Sequence, residues 1–362
     1  MTTLTPRNVP LSKPLIGEEE KQAVMKVLDS GMLAQGPVTE AFEKAFAQFV
    51  GVPHAVAVSN GTAALHVALL AHGIGAGDEV LTSSFSFIAS GNSVLYTGAR
   101  PVFADIDPVS YNLDPALIEK ALTPKTKAIM AVHLFGNPMD MDALTDICKR
   151  KGLLLIEDAC QSHGAMFKGT QVGAFGTGAY SFYPTKNMTS GEGGMITFSD
   201  EKVAKRARMI RNHGMQERYK HEMLGFNLRM TDLHAAVGNA QLKKLTERNN
   251  LRRKHAAYLT ANLKHVVTPV EHQHGHHVFH QYTVRVKGDR DAALKHLQGL
   301  GVGVGVYYPR PIHQQPVYLE LGYKVTLQET EKAASQVLSL PVRPDMTQED
   351  LDHVVAAVNA IP

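Results

Sequence analysis

The chain has 362 residues, of which 44% are hydrophobic and 20% are charged, and its formal net charge is +3. That length and balance favour two domains, or one large domain with a smaller one attached, with enough apolar residues for a sizeable core. The charge is too small, and the basic residues are too scattered, to favour nucleic acid or a membrane surface as a partner.

The sequence also indicates the compartment. The N-terminal segment from Met1 to Lys13 is polar and lacks the apolar stretch of a signal peptide. No apolar run approaches the roughly 20 residues that a membrane-spanning helix needs. Only two cysteines are present, Cys148 and Cys160, which is typical of a reducing compartment. We therefore expect a cytoplasmic protein.

Helices and strands alternate through the first part of the chain. Two N-terminal helices are predicted at residues 17–30 and 39–49. Strands are then predicted at 56–58, 79–82, 101–105, 128–133 and 152–156, with helices between them. This order is typical of an α/β fold in which helices flank a mostly parallel sheet.

The pattern changes near residue 250. A long helix predicted at 233–248 runs on or turns into a second helix at 251–263. Beyond it the sequence predicts strands at 281–286 and 302–307 and helices at 290–300, 328–338 and 348–360. We therefore predict a large domain at residues 1–249, including the N-terminal segment, and a small C-terminal α/β domain at residues 250–362.

A glycine turn follows the first predicted strand. Ser59-Asn60-Gly61-Thr62 separates that strand from a helix at residues 63–70. A strand, a glycine turn and a helix N-terminus together can bind phosphate through free N–H groups and the positive end of the helix dipole. Every βα unit has such a junction, however, and most of them bind nothing. The sequence of this turn alone therefore leaves open whether it binds phosphate or is an ordinary connection.

Two residues about thirty positions apart suggest a cofactor. Asp158 ends a buried strand, where open α/β sheets place ligand contacts. Lys186 lies in a short loop after Pro184, just before a glycine-rich turn and another strand. The alternative for Lys186 is an ordinary surface lysine on a hairpin. Paired with Asp158, it suggests pyridoxal phosphate, with the lysine as Schiff base and the aspartate on the pyridinium nitrogen.

Residues 272–280 contain five histidines, which raises the question of a metal site. No cysteine and no carboxylate other than Glu271 adjoins them to complete a ligand set. We therefore predict no metal, and interpret the segment as a histidine-rich loop at a domain edge that touches an anionic substrate.

Four motifs occur along the chain in this order: Asn60-Gly61-Thr62-Ala63-Ala64-Leu65, Glu157-Asp158-Ala159-Cys160-Gln161, Ser181-Phe182-Tyr183-Pro184-Thr185-Lys186-Asn187 and Gly225-Phe226-Asn227-Leu228-Arg229-Met230. Together they resemble the motifs of the DegT/StrS family of nucleotide-sugar aminotransferases. The resemblance extends from Pro14 to the final helix. It implies fold type I of the pyridoxal phosphate enzymes, with residues 1–249 binding the cofactor, and a homodimer with two shared active sites.

The resemblance also implies residue roles. Lys186 would form the internal aldimine and serve as the base for proton transfer, while Asp158 would pair with the pyridine nitrogen. The other implied cofactor contacts are Gly61, Thr62 and Ser181 at the phosphate, Gln161 near the phenolic oxygen, Phe87 on the ring face and Asn227 from the partner subunit. The candidate substrate residues are Met32, Gln35, Tyr183, Arg229 and His313.

The expected function is that of a pyridoxal phosphate-dependent aminotransferase. It would move an amino group from L-glutamate to a keto-sugar nucleotide by a ping-pong cycle, in amino-sugar biosynthesis for a surface polysaccharide or a secondary metabolite. Lys186 argues against a dehydratase of the same family, because those relatives carry histidine there. Two alternatives stay open: an aminotransferase on a cyclitol ketone, and a non-catalytic regulator that binds the cofactor or a sugar.

Overall fold

Helices and strands alternate in the first two hundred residues, as predicted from the sequence. We describe residues 4–361 from a computed structural model. The elements of this part are α1 (Glu18–Ser30), α2 (Pro37–Val50), β1 (His54–Val58), α3 (Gly61–Ala71), β2 (Glu79–Ser83), α4 (Ala89–Tyr96), β3 (Arg100–Ala104), α5 (Pro115–Ala121), β4 (Thr126–Val132), α6 (Met141–Lys151), β5 (Leu154–Asp158), β6 (Met166–Phe167), β7 (Thr170–Gln171), β8 (Thr177–Ser181) and β9 (Gly194–Phe198).

Seven of these strands form one sheet, in the order β1-β9-β8-β5-β4-β2-β3. Strand β9 runs antiparallel to both of its neighbours, and the other neighbouring strands are parallel. Both faces are covered: Ala179 of β8 packs into the cluster around α3, and Tyr180 packs on the other face against Phe46 of α2. The predicted mostly parallel α/β sheet flanked by helices is confirmed.

The remaining elements follow the seven-stranded sheet in the sequence, and three of their strands form a second, smaller sheet. They are α7 (Glu201–Ile210), β10 (Met215–Glu217), β11 (Lys220–His221), α8 (Asp232–Leu242), α9 (Leu245–Asn262), β12 (Val266–Val267), β13 (Gly275–His276), β14 (Tyr282–Val286), α10 (Arg290–Gly299), α11 (Pro316–Glu320), α12 (Gln328–Gln336), β15 (Val337–Leu340) and α13 (Gln348–Asn359). Strands β12, β14 and β15 pair antiparallel. Leu259, Leu297 and Val354 of the flanking helices pack in the same core as this sheet.

The strand predicted at residues 302–307 does not form. Val302 and Gly305 make only single bridges, to Val9 and Ser339. A β-carbon at Gly301 would lie 2.4 Å from the backbone oxygen of Arg7, and one at Gly303 would lie 2.5 Å from the backbone nitrogen of Leu11. These glycines therefore let the N-terminal segment pass directly over residues 301–303, in place of strand pairing.

The chain between the two long helices turns earlier than the sequence suggested. The sequence left open whether the helix at residues 233–248 runs on into residues 251–263 or turns there. In the structure, helix α8 ends at Leu242 and α9 begins at Leu245. Residues 249 and 250 therefore lie inside one continuous helix. The division into residues 1–249 and 250–362 stays a prediction, and α9 joins the two parts across it.

Candidate active site

The turn between β1 and α3 brings a helix N-terminus close to the end of β8. Asn60 caps the helix, because its Oδ1 accepts a 2.8 Å hydrogen bond from the N–H of Ala63. A β-carbon at Gly61 would lie 2.6 Å from the Cβ of Ser181, so only glycine allows this approach. The first N–H groups of a helix lack partners within it, and Gly61 and Thr62 offer theirs at the positive end of the dipole. This corner can bind a phosphate.

Strand β5 ends in two carboxylates that point to opposite faces of the sheet. Glu157 is fully buried and accepts hydrogen bonds of 2.7, 2.9 and 2.7 Å from the N–H groups of Gly173, Phe175 and Gly176. His133 Nε2 lies 3.1 Å from the same carboxylate. Glu157 therefore fixes the loop that leads into β8, and the next residue, Asp158, faces a cavity.

Asp158 is held on both of its oxygens. The hydroxyl of Ser90 lies 2.7 Å from Oδ2, and the N–H of Cys160 donates to Oδ1 at 3.3 Å. Ser86 in turn contacts Ser90, with 2.7 Å between the hydroxyl oxygens. Asp158 is 6% exposed, and the carboxylate can accept a further hydrogen bond from a group in the cavity.

Lys186 lies in the loop between β8 and β9 and lines the same cavity. The side chain of its neighbour Asn187 anchors the loop by donating to Asn249 Oδ1 at 2.8 Å and to the C=O of Val278 at 3.0 Å. Burial lowers the pKa of the Lys186 ammonium, and the nearby acidic groups of Cys160 and Asp158 offset part of that lowering. A lowered pKa favours the neutral amine, which is the nucleophilic form.

Gln161 connects this site to the C-terminal part of the chain. Its Oε1 accepts the N–H of Phe135 at 2.8 Å, and its Nε2 donates to Tyr308 Oη at 3.0 Å. The Tyr308 ring centre lies 6.1 Å from that of Phe87. Because Tyr308 accepts from Gln161, its own hydroxyl proton is available to another acceptor.

His280 completes the floor of the cavity near Lys186. Its Nδ1 lies 3.3 Å from Asn187 Oδ1. Burial, and then the positive charge of Lys186, hold the pKa of His280 well below its ordinary value. The ring is therefore neutral at neutral pH, and it adds no positive charge beside the lysine.

Eight of the residues predicted from the sequence line one cavity of about 980 Å³. They are Gly61, Thr62, Phe87, Asp158, Gln161, Ser181, Tyr183 and Lys186. Sequence reasoning missed Ser86, Ser90, Tyr307 and Tyr308, which line the cavity as well. These four belong to no recognisable motif, and the fold brings them together from distant parts of the chain. His280, the last residue of the histidine-rich segment, also lines the cavity.

Five predicted residues lie outside that lining: Met32, Gln35, Asn227, Arg229 and His313. His313 is buried, with Nδ1 2.7 Å from Ser84 Oγ and Nε2 3.3 Å from Glu331. Its ring is engaged inside the fold, which does not support the substrate role suggested by the sequence. Asn227 is exposed, and its predicted reach into a partner's site stays a prediction.

The histidine-rich loop is separate from the cavity except at His280. Strand β13 of this loop pairs with β6, and the His277 ring stacks on Phe279 with 3.9 Å between ring centres. Arg253 forms an ion pair with Glu271. Within residues 4–361, no three His, Cys, Asp or Glu side chains are grouped so that they could hold a metal ion.

These groups fit pyridoxal phosphate. The crowded glycine corner at Gly61 matches a phosphate, the free acceptor capacity of Asp158 matches a protonated ring nitrogen, and the Lys186 amine matches an aldehyde. The cavity of about 980 Å³ leaves room for a second molecule beside the cofactor. The fold and the site together define a pyridoxal phosphate-dependent transferase of fold type I.

Comparisons with known proteins support this class of enzyme. The family model described as the DegT/DnrJ/EryC1/StrS aminotransferase family matches residues 14–359, and the chain belongs to this family. It is 44% identical to the "Pleiotropic regulatory protein" of Geobacillus stearothermophilus, over 94% of this chain and 95% of that one. It is 40% identical to the GDP-perosamine synthase of Caulobacter vibrioides, with 98% of each chain covered.

A solved structure is similar over nearly the whole fold. It is that of S. venezuelae DesV in complex with a ketimine intermediate, with a TM-score of 0.92, 40% identity and coverage of 97% of this chain and 98% of that one. The predicted family, the α/β fold, the class of enzyme and the cofactor pyridoxal 5′-phosphate are confirmed.

Proposed function

We propose that this enzyme moves an amino group from L-glutamate to a nucleotide-linked ketosugar, in the biosynthesis of an amino sugar for a surface polysaccharide or a secondary metabolite. One observation carries the proposal: the Lys186 amine and the Asp158 carboxylate open into one cavity with a phosphate-binding corner. The relative named above as GDP-perosamine synthase supports a sugar nucleotide as acceptor.

The chain's own residues then take the following roles. When bound, pyridoxal phosphate supplies an electron-withdrawing ring that stabilises negative charge on the carbon carrying the amino group. Gly61, Thr62 and Ser181 bind its phosphate, and Asp158 holds the ring nitrogen protonated. The lowered pKa of Lys186 favours its neutral amine, which would act as the nucleophile. As a general base, the same amine would accept a proton at Nζ from the carbon that carries the amino group and release it to a second carbon.

Three further contacts orient the cofactor and the substrates. Phe87, which is 55% exposed and lines the cavity, would pack on the face of the ring. Gln161, fixed by Phe135 and Tyr308, would hold the phenolic oxygen. Tyr183, which is 48% exposed and lines the cavity, would contact the sugar. For Met32, Gln35 and Arg229 a substrate role needs a partner chain or a rearranged loop.

We propose a homodimer in which Asn227 reaches the partner's phosphate site. Support comes from exposed apolar side chains on α1, just after α1 and near Asn227 in the sequence. Met25 and Leu28 on α1 and Met32 after it are about half exposed, and Leu224 is 84% exposed. Apolar surface of this kind is typical of an interface. Such a dimer would have two sites, each built from both chains.

The location in the cytoplasm is also a proposal. Cys148 and Cys160 are both free thiols, which fits a reducing compartment. In the part of the chain that the structure describes, none of the helices has the length and apolar character to cross a bilayer.

The decisive experiment is the visible absorbance of the purified protein with pyridoxal phosphate, before and after adding L-glutamate. We expect a visible band that glutamate bleaches and that returns on adding the correct ketosugar nucleotide. UDP-, dTDP- and GDP-linked ketosugars are compared with an inosose, which tests the cyclitol alternative. A band that no amino donor bleaches would favour the regulator alternative, and failure to bind the cofactor would disprove the proposal.

A further inference from the structure

Ser86 and Ser90 form a buried hydrogen-bonded chain that ends on Asp158. The hydroxyl oxygens of the two serines lie 2.7 Å apart, and Ser90 Oγ lies 2.7 Å from Asp158 Oδ2. Ser86 is 4% exposed and Ser90 is 1% exposed. Two serines buried in hydrogen-bond contact with an active-site carboxylate do more than fill space, because each hydroxyl has a specific polar partner in this chain.

The direction of each hydrogen bond follows from the number of protons. A hydroxyl has one proton to donate, and an ionised carboxylate can only accept. Ser90 therefore gives its proton to Asp158, and Ser86 must donate to Ser90. A hydroxyl that accepts a hydrogen bond becomes a better donor, so Ser86 strengthens the bond from Ser90 to the carboxylate.

The position of Ser90 adds to this effect. It is the second residue of α4, and its N–H donates to the C=O of Phe87 at 3.1 Å. The carboxylate of Asp158 therefore meets the start of a helix, where the dipole is positive. Its other oxygen receives the N–H of Cys160 at 3.3 Å. Hydrogen bonds to the charged form favour that form.

We propose that Ser86 and Ser90 are positioning residues that hold the Asp158 carboxylate, by hydrogen bonds, in the orientation that faces the ring nitrogen of the cofactor. This inference rests on the proposed function. A carboxylate held in that orientation would keep a proton on the ring nitrogen, and that proton makes the ring electron-withdrawing. Residues 86–90 would thus control both the face of the ring, through Phe87, and its protonation, through Asp158.

The test compares Ser90→Ala and Ser86→Ala with a matched control, Ser93→Ala. Ser93 lies on the same helix, is also buried, and donates only to the backbone C=O of Ser90, at 3.4 Å. All three substitutions delete the same single atom from a buried serine. Only the first two interrupt the chain to Asp158.

The measurement is the visible absorbance of each cofactor-loaded protein as a function of pH. Without Ser90 the carboxylate loses one of its two hydrogen bonds and its fixed orientation. The ring nitrogen is then less positive, and the link between Lys186 and the cofactor keeps its proton to higher pH. We expect the pH at the midpoint of this absorbance change to rise by about one unit in Ser90→Ala. It should rise by less in Ser86→Ala and should not change in Ser93→Ala. The affinity of each apoenzyme for pyridoxal phosphate should fall in the same order.

An unchanged midpoint in Ser90→Ala, or an equal shift in Ser93→Ala, would overturn the inference. If Ser90→Ala does not fold, Ser86→Ala decides: a shift there that is missing in Ser93→Ala supports the inference, and equal midpoints overturn it. Failure of the unsubstituted protein to bind the cofactor would overturn both this inference and the proposed function. Normal transamination with unshifted midpoints would overturn this inference alone.

Discussion

A β-carbon added to Gly61 would lie 2.6 Å from the Cβ of Ser181 and 3.0 Å from its hydroxyl oxygen. These residues belong to α3 and β8, which are far apart in the sequence, and they meet at the corner assigned to the cofactor's phosphate. The contact is closer than two carbon atoms tolerate, so any larger residue at position 61 must move one of the two elements.

We therefore expect Gly61→Ala to weaken the binding of pyridoxal phosphate at least tenfold, or about 1.4 kcal/mol, as measured by titration of the apoenzyme. Gly299→Ala is the matched control. Gly299 ends α10 and has open space around it, so alanine there should leave the affinity unchanged and stabilise the helix by roughly 0.5–1 kcal/mol. Equal affinities for the two variants would contradict a phosphate site at Gly61.

Replacing Lys186 should separate catalysis from folding. We expect Lys186→Ala to reduce transamination by more than about 1,000-fold, since nucleophile and base are both lost. The variant should keep the circular dichroism and the oligomeric mass of the original protein, because removing an amine whose pKa is lowered by burial removes a desolvation penalty. Lys202→Ala, at an exposed position on α7, is the control. Retained turnover in Lys186→Ala would disprove the assignment of the lysine.

The proposed homodimer with shared sites predicts complementation between two inactive variants. Lys186→Ala and Asn227→Ala should each be weak or inactive alone. A dimer containing one chain of each has one site with both residues intact, so mixing the two and allowing subunits to exchange should restore part of the activity. Measuring turnover against mixing ratio checks this. No recovery, with subunit exchange shown by mass spectrometry, would exclude a role for Asn227 in the partner's site.

Buried histidines predict that the fold loses stability in mild acid. Burial, followed by the charge of Lys186, lowers the pKa of His163 to about 3, and burial, followed by the charge of Arg253, lowers that of His277 to about 3. The unfolded chain takes up protons near pH 6.5 and the folded chain does not. Stability is therefore complete above that pH and falls below it, by about 1.4 kcal/mol per histidine at pH 5.5.

Urea unfolding at pH 7.5 and 5.5 measures this loss. His163→Asn and His277→Asn should each lower the free energy of unfolding at pH 7.5. In each variant the difference in this free energy between pH 7.5 and pH 5.5 should be smaller than in the original protein, by about 1.4 kcal/mol. His265→Asn, at an exposed position, should behave like the original protein. If neither buried substitution reduces the difference, other groups cause the acid sensitivity.

Much of the fold and the centre of the site could be predicted because their signals are local. The alternation of strands and helices follows from residue patterning, and Asp158 and Lys186 stand out by their places at a strand end and in a hairpin loop. The break between α8 and α9 carries no such signal, since neither Gly nor Pro occurs at residues 243–244.

Other parts of the site depend on contacts between distant segments. Ser90 meets Asp158 across 68 positions and Tyr308 meets Gln161 across 147. No spacing rule in a single sequence reports such pairs. A distant contact also explains why the prediction for His313 is not supported. The sequence suggested that His313 contacts the substrate, but its ring is held inside the fold by Ser84, which lies 229 positions earlier.

The alternation at the end of β5 also limits how this enzyme can change. Glu157 and Asp158 are adjacent but serve opposite faces, one tying down the backbone before β8 and the other facing the cofactor. Inserting or deleting one residue in β5 would exchange the two carboxylates, taking the anchor from the loop and the partner from the ring in one event. Substitutions in the loops at the cavity mouth can change the substrate preference, whereas the register of β5 has to stay as it is. Anyone transplanting the site into another scaffold has to move both carboxylates as one unit.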